Sequence, residues 1–289
     1  MAVTASLVKE MRERTGLGMM ECKKALVEVG GDIDAAIEAM RKSGQAKADK
    51  KAGRIAAEGR IVAHQSSQGA SLIEVNCETD FVGKDESFIA FCNSLAPLAG
   101  ESDSVETLLA QALAEGKTVE ETRQQLILTI GENIQIRRIA NLTGDDAVYG
   151  SYLHGGTIGV IVKLDKGDDE LAKDIAMHVA AANPLCVSES EVPDETLAKE
   201  REIYSAQAAE SGKPEAIQEK MVDGRVRKYL AEITLNGQAF VKDPDITVGK
   251  LLAKSGATVL GFIRYQVGEG IEKKSEDFVA EVMKQAKGS

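Results

Sequence analysis

The segment EVNCETDFVGK, residues 74–84, predicts a strand that runs into a loop carrying an acid beside an aromatic ring. Apolar and polar residues alternate through its first half, so Val75 and Glu74 would lie on opposite faces of a half-buried strand. Phe81 and Val82 then follow in a polar turn, which is uncommon because loops usually run over the surface in water. The ring of Phe81 must therefore either pack on the protein or be presented to another molecule.

Both interpretations of Phe81 have a physical basis. Phe81 precedes Phe88 by seven residues, or two helical turns. An apolar residue at a helix entry often packs on the first turns of that helix, and large apolar side chains are usually buried. The residues alone therefore favour packing, and presentation to a partner remains the alternative.

EVNCETDFV and a second segment, MRERTGLGMMECKKAL at residues 11–26, resemble the two signatures of the elongation factor Ts family. These proteins are guanine-nucleotide exchange factors for elongation factor Tu. The likeness continues through SYLHGGTIGV, IAMHVAAANP, GKPEAIQEKMVDGR and FIRYQVGEGIEK, so it covers essentially the whole chain. Two residues depart from the pattern: Met11, where the family usually has Leu, and Gly83, where Ala or Ser is usual. Gly83 is expected to loosen the loop that carries Phe81.

The resemblance implies a site and a mechanism. The chain would promote GDP release from elongation factor Tu by disturbing the magnesium and phosphate site of that partner. The implied wedge is Thr79, Asp80, Phe81 and Val82. Asp80 would disturb polar contacts near the site and Phe81 would insert between helices, while the two flanking residues set the geometry of the loop. Other partner contacts that the resemblance implies are Arg12, Met19, Met20, His154 and Gly155.

Hydrophobic periodicity predicts an α+β fold whose core consists of two related halves. Domains are expected at residues 1–54 (a three-helix module that resembles the ubiquitin-associated type, plus a linker), 55–145 (the first core half), 146–268 (the second core half, with a helical hairpin inserted at about 187–233) and 269–289 (a C-terminal helical module). The halves end in IGENIQIRRIA and SGATVLGFIRY, in which Gly256 and Arg264 mirror Gly131 and Arg138.

Glycine and capping residues divide the N-terminal module into short helices. Gly30 and Gly31 are typical of a helix C-cap, and Asp32 of the N-cap of a third helix. Met19 and Met20 are adjacent and cannot share one helix face. We therefore expect one of the two methionines to pack inward and the other to be available to a partner.

The inserted hairpin is predicted from helix start signals and spacing. Asp194 follows a proline, residues 211–214 form a turn, and apolar residues recur at helical spacing from 217 to 233. Two helices cannot bury their apolar stripes completely on each other, so contact with another chain is expected. The resemblance associates this hairpin with self-association and with elongation factor Tu. It also makes a terminal helix, beginning near Glu276, a further partner contact.

Composition favours a protein partner. The chain has 289 residues, with 46 acidic and 35 basic side chains and a formal charge of -11. An anionic surface argues against direct nucleic-acid binding, which needs clustered cations. The basic cluster at residues 47–54 is short and has no interleaved aromatic residues, so we interpret it as a solvated linker helix.

The pattern of the cysteines and the length of the apolar runs indicate the cellular compartment. The four cysteines lack a CxxC pair and lie in apolar patterns, which predicts buried free thiols; they are Cys22, Cys77, Cys92 and Cys186. No apolar run approaches the roughly 20 residues that span a bilayer, and the N-terminus lacks a signal-peptide pattern. We therefore expect a cytoplasmic protein without membrane attachment.

The residue patterns that would indicate catalysis are missing from the sequence. It contains no Walker-type phosphate loop, metal-ligand spacing or nucleophile motif. His154 is interpreted either as a strand-end residue satisfied by local hydrogen bonds or, by resemblance, as a partner contact, whereas His178 on an apolar helix is expected to be structural. We therefore expect neither an enzyme nor a bound cofactor.

Two other functions remain as alternatives. A ubiquitin-associated-like adaptor that only binds proteins would need residues 1–43 alone, and Phe81 would be irrelevant. An α+β enzyme would instead show a concave pocket with convergent polar groups. Neither alternative explains two family signatures on one chain.

Overall fold

Three helices form the N-terminal module, and their ends follow the capping signals of the sequence. The computed structural model describes residues 3–113 and 116–272, and the module comprises α1 (Ala5–Thr15), α2 (Met19–Glu28) and α3 (Ile33–Lys51). Gly16 ends α1 with a left-handed φ of 70°. The Asp32 carboxylate accepts a hydrogen bond from the Ala35 N–H at 3.0 Å, which confirms the predicted N-cap of α3.

The third helix joins the module to the rest of the protein. α3 continues through most of the segment predicted as a linker and ends at Lys51. Ala36 and Met40 of α3 belong to the small core of the module, whereas Ala48 is buried in the core of the following unit. One helix therefore contributes to two cores.

Each half of the core is a three-stranded antiparallel sheet with helices. The first half contains β1 (Glu58–Ser66), β2 (Gly69–Cys77), a 3-10 turn (Val82–Lys84), α4 (Glu86–Ala99), α5 (Val105–Ala110), α6 (Val119–Ile130) and β3 (Gln135–Thr143), with strand order β1-β2-β3. The second half contains β4 (Val148–His154), β5 (Ile158–Leu164), α7 (Asp169–Ala182), α8 (Asp194–Ala209), α9 (Glu215–Ile233), β6 (Ala239–Phe240), β7 (Asp243–Thr247), α10 (Val248–Ser255) and β8 (Val259–Gln266), with order β4-β5-β8.

The two glycines that mirror each other in the sequence occupy equivalent places in the halves. Gly131 ends α6 with a φ of 88°, and Gly256 ends α10 with a φ of 62°. Each glycine adopts a left-handed conformation just before the last strand of its sheet. The mixed architecture and this correspondence agree with the predicted α+β fold.

The two sheets pack face to face, which buries β2 on both sides. Ile61 and Leu72 of the first sheet contact Tyr149 and Ile161 of the second in one apolar cluster. The prediction of a half-buried β2 is wrong, because the face that carries Glu74 is covered by the second sheet and every residue from 70 to 77 is buried. Glu74 is consequently a carboxylate in the interior.

The inserted hairpin forms where the sequence predicts it. α8 and α9 pack on each other around Ala208, Val222 and Val226, while Ile203 and Ile217 stay exposed. The predicted helix from about Glu276 lies outside the described residues. Within the part of the chain that the structure describes, no helix is both long and apolar enough to cross a membrane.

The burial of the cysteines and of His178 agrees with the predictions at all but one position. Cys22, Cys77 and Cys92 are buried free thiols, and burial raises the pKa of Cys77 to about 12. Cys186 is only partly buried, so the prediction is wrong there. His178 is buried and structural: its Nδ1 accepts a hydrogen bond from the Val241 N–H at 3.2 Å, and burial lowers its pKa.

Candidate functional site

The loop after β2 presents Phe81 to solvent. The Phe81 side chain is 81% exposed and Asp80 is exposed beside it. Val82, the next residue, is buried in the cluster that contains Phe88. Of the two interpretations of Phe81, the packing on the following helix that the residues alone favour is therefore wrong, because Val82 occupies the inward position of the turn.

The backbone of the loop holds Phe81 at the entrance of a helix. The Lys84 N–H donates to the Phe81 carbonyl at 3.1 Å, and the Asp85 N–H donates to the Val82 carbonyl at 3.0 Å. The Asp85 carboxylate then accepts from the Phe88 N–H at 3.2 Å and caps α4. Because hydrogen bonds run without a break from the turn into α4, few backbone dihedrals can redirect the ring.

Glu132, in the turn between α6 and β3, holds the other side of the loop. Its Oε2 accepts hydrogen bonds from the N–H groups of Glu78 and Thr79, both at 3.0 Å. Its Oε1 accepts from the Thr79 hydroxyl at 2.7 Å. Glu78 Oε1 in turn accepts from the Asn133 N–H at 2.6 Å. The sequence reasoning missed Glu132, since its segment was interpreted only as part of an internal repeat.

Asp80 is ionised and weakly held. Lys84 Nζ lies 2.7 Å from Asp80 Oδ2 and, by hydrogen bonding and charge, lowers the pKa of the carboxyl group. Both side chains are more than half exposed, and such surface pairs contribute little to stability. The carboxylate of Asp80 can therefore exchange Lys84 for a group on another molecule at small cost.

A second exposed region is the turn between β4 and β5. His154 and Gly155 are exposed, and the Thr157 N–H donates to the His154 carbonyl at 3.1 Å. The His154 ring stacks on Tyr152 with centroids 6.3 Å apart, and Nδ1 lies 3.4 Å from the tyrosine hydroxyl. His154 thus has the local contact that one interpretation predicts, yet its ring remains accessible.

Arg60 of β1 lies between the loop and this turn. Its Nη1 is 3.5 Å from the Gly83 carbonyl, and a Cβ at Gly156 would come within 2.8 Å of Nη2. The neighbouring Ile61 N–H donates to the Gly156 carbonyl at 2.7 Å. The structure therefore brings the Phe81 loop and the His154 turn to one edge of the protein.

Both methionines of the N-terminal module are exposed, Met19 by 60% and Met20 by 73%. The expectation that one packs inward is wrong, because Leu17 fills that place with 1% exposure. Met20 lies two residues before the buried Cys22, about 160° round the helix, so it points away from the core. Arg12 on α1 is also exposed.

An apolar groove of about 760 Å³ runs between the α1–α2 loop and the helices α4 and α6. Gly16 and Ser87 line it on the two sides, and Phe91, Leu98 and Leu126 contribute apolar surface. The lining contains no ionisable side chain.

Comparison with known proteins gives matches along the whole chain. A family model described as Elongation factor TS matches residues 78–269. The chain is 62% identical over 294 residues to Elongation factor Ts of Thioalkalivibrio sulfidiphilus (strain HL-EbGR7), with 100% of both chains covered. It is 58% identical over 293 residues to Elongation factor Ts of Methylococcus capsulatus (strain ATCC 33009 / NCIMB 11132 / Bath), again with 100% of both chains covered. It is 57% identical over 293 residues to Elongation factor Ts of Halorhodospira halophila (strain DSM 244 / SL1), with the same full coverage.

Proposed function

The chain belongs to the elongation factor Ts family, and we propose that it binds elongation factor Tu·GDP and promotes GDP release during translation elongation. The observation that supports this mechanism best is the exposed Phe81 ring, held beside the exposed Asp80 at the entrance of α4. Burial of a large, exposed apolar side chain by a partner lowers the free energy of the complex. The loop is thus suited to insertion rather than to packing within this protein.

Exchange follows from differential binding. An exchange protein that binds the nucleotide-free partner more tightly than the GDP-bound partner must weaken GDP binding. The ratio of its two affinities equals the ratio by which it lowers the affinity for GDP, because coupling between two binding sites is reciprocal. Magnesium and backbone amides hold nucleotide phosphates in such partners. Asp80 would disturb polar contacts at that site and Phe81 would separate helices beside it, while Thr79 and Val82 anchor the loop.

Further contacts would supply affinity. Arg12, Met19 and Met20 form an exposed group on the N-terminal module, and His154 with Gly155 forms a second group beside the wedge loop. The exposed Ile203 and Ile217 make the helical hairpin the candidate surface for self-association or a further partner contact. The exposed methionines would equally suit an adaptor, which is the alternative function.

Stopped-flow release of fluorescent GDP from elongation factor Tu of the same organism tests the proposal. Wild-type protein should accelerate release strongly, and Phe81→Ala and Asp80→Ala should each blunt the acceleration while binding persists. Leu260→Ala, which also removes an exposed apolar side chain, serves as the matched control and should match wild type. Unchanged acceleration in both wedge variants would discard Phe81 and Asp80 as its agents. No acceleration by wild type would leave the adaptor function as the better account.

A further inference from the structure

We propose that Glu132 is a positioning residue for exchange: its carboxylate fixes the backbone at Glu78 and Thr79 and so aims Phe81 at the partner. This inference rests on the proposed exchange function. Glu132 itself is half-buried and lies on a different segment from the wedge. It would act through the loop rather than by touching the partner or the nucleotide.

The hydrogen bonds of Glu132 occupy both of its oxygen atoms. Oε2 accepts from two consecutive backbone N–H groups, and Oε1 accepts from the Thr79 hydroxyl. The same hydroxyl accepts from the Val82 N–H at 3.4 Å, and the Thr79 carbonyl accepts from the Gly83 N–H at 3.2 Å. Hydrogen bonds to an ionised acceptor are stronger than those between neutral groups. One carboxylate therefore fixes the start of the turn that displays Phe81.

The turn that carries Glu132 is itself fixed to the end of α3. Asn133 is buried, and its Nδ2 donates to the Arg54 carbonyl at 2.8 Å. The Lys51 ammonium donates to the Gly131 carbonyl. The same short segment thus contacts both the wedge loop and the helix that leads from the N-terminal module. It sets the position of the wedge relative to the module, so binding through the module would bring Phe81 to a defined place on the partner.

This arrangement predicts an effect on the exchange step more than on binding. Without the carboxylate, the module and the His154 turn would still bind the partner, and the hydrogen bonds into α4 would remain, but the start of the turn at Glu78 and Thr79 would no longer be fixed. Phe81 would then hold its productive orientation for a smaller fraction of the time. The saturating rate of GDP release should therefore fall, while the concentration of factor giving half-maximal rate changes little. A purely structural role would instead reduce the fraction of folded protein.

The test measures GDP release from elongation factor Tu over a range of factor concentrations, with thermal midpoints for each variant. Glu132→Ala should lower the saturating rate at least about tenfold, because it removes three hydrogen bonds to a charged group and one such bond alone is worth about that factor. Half-saturation should stay within about twofold of wild type. Glu132→Gln should recover most of the rate, because its carbonyl can accept from both N–H groups and its amide can donate to the Thr79 hydroxyl. Thr79→Val, which loses only the hydroxyl, should lower the rate about threefold.

Asn141→Ala is the matched control, since it removes a side-chain hydrogen bond of 2.6 Å to the Ser102 carbonyl in the same half but away from the wedge. It should lower the thermal midpoint and leave the saturating rate unchanged.

Three outcomes would each overturn the inference: a saturating rate for Glu132→Ala within twofold of wild type, an equal loss of rate in Asn141→Ala, or an effect confined to half-saturation. If Glu132→Ala does not fold, a wild-type rate in folded Thr79→Val overturns it. If the wild-type protein does not accelerate GDP release, the exchange proposal is overturned together with this inference. If Phe81→Ala lowers the saturating rate and Glu132→Ala does not, only this inference is overturned.

Discussion

At the scale of single residues, Gly83 is a site where the wedge loop can be stabilised. It lies in the 3-10 turn and is absent from the glycines with positive φ. A Cβ there would meet its nearest neighbour, the Gly59 carbonyl oxygen, at 3.5 Å, an ordinary contact. We expect Gly83→Ala to raise the free energy of unfolding by about 0.4–1 kcal/mol, because alanine restricts the unfolded chain more than glycine does.

Urea unfolding of the two proteins measures this difference. Gly131→Ala is the control, since its φ of 88° is strained for any residue with a side chain, and it should lose about 1–2 kcal/mol. A loss of stability in Gly83→Ala would show that the turn cannot accommodate a Cβ beside the Gly59 carbonyl.

The sequence predicts the role of a single residue well only where that role depends on residues close to it in the chain. The N-cap at Asp32 depends on the next three residues, so it could be predicted. The exposure of Phe81 depends on which of two adjacent apolar side chains enters the core, and the sequence does not settle that choice. Glu132 lies 53 residues from Thr79, and no periodicity links two loops at that separation.

At the scale of elements, a bulge in β3 explains how the buried Glu74 is tolerated. The register pairs Glu74 with Arg138 and Val75 with Ile136, so Arg137 is the extra residue. Both arginines bond to the Glu74 carboxylate, and the Gly268 N–H donates to Oε1 at 2.8 Å. An interior carboxylate is stable only when it is paired and hydrogen-bonded. The alternation within β2 predicted its two faces, but not that a second sheet covers the polar one.

We expect Glu74→Gln to lower the free energy of unfolding by about 2–4 kcal/mol at pH 7. Burial alone would raise the pKa of Glu74, but the bonds from Gly268 and the two guanidinium groups outweigh it and lower the pKa. The stabilisation is therefore present above the usual value of 4.5 and is lost as the pH falls through the lower value in the folded state. The difference between the two proteins should narrow in that acidic range, because a protonated Glu74 resembles glutamine.

Urea titrations between neutral and acidic pH measure the effect of Glu74→Gln. Glu38→Gln, which removes a surface ion pair with Lys42, is the control and should change little. A constant difference across the pH range would mean that the carboxylate charge is not what stabilises the sheet interface.

At the scale of the whole molecule, the N-terminal module is built into the core rather than appended to it. Leu128 of α6 is buried in the small core of the module, beside Met11 and Leu26. Gln125, also on α6, donates to the Thr15 carbonyl at 3.0 Å. A module of this size has a marginal core of its own, so these contacts supply part of its stability. The sequence pattern showed three helices with an apolar side, but a partner surface from residues about 100 positions away could not be inferred from it.

We therefore expect Leu128→Ala to destabilise the module by about 2–4 kcal/mol, because truncation leaves a cavity between α6 and the module core. Amide hydrogen exchange measures this locally: protection should fall in α1 and α2 while the central strand β2 keeps its protection. Leu126→Ala on the same helix is the matched control, since Leu126 belongs to the core around Phe88, and it should weaken that core instead. Unchanged protection in the module of Leu128→Ala would mean that the module does not depend on α6, as an adaptor formed by residues 1–43 alone would require. Loss of that protection would mean that the module and the wedge loop are held in one framework, with α6 supporting the first and the turn after it supporting the second.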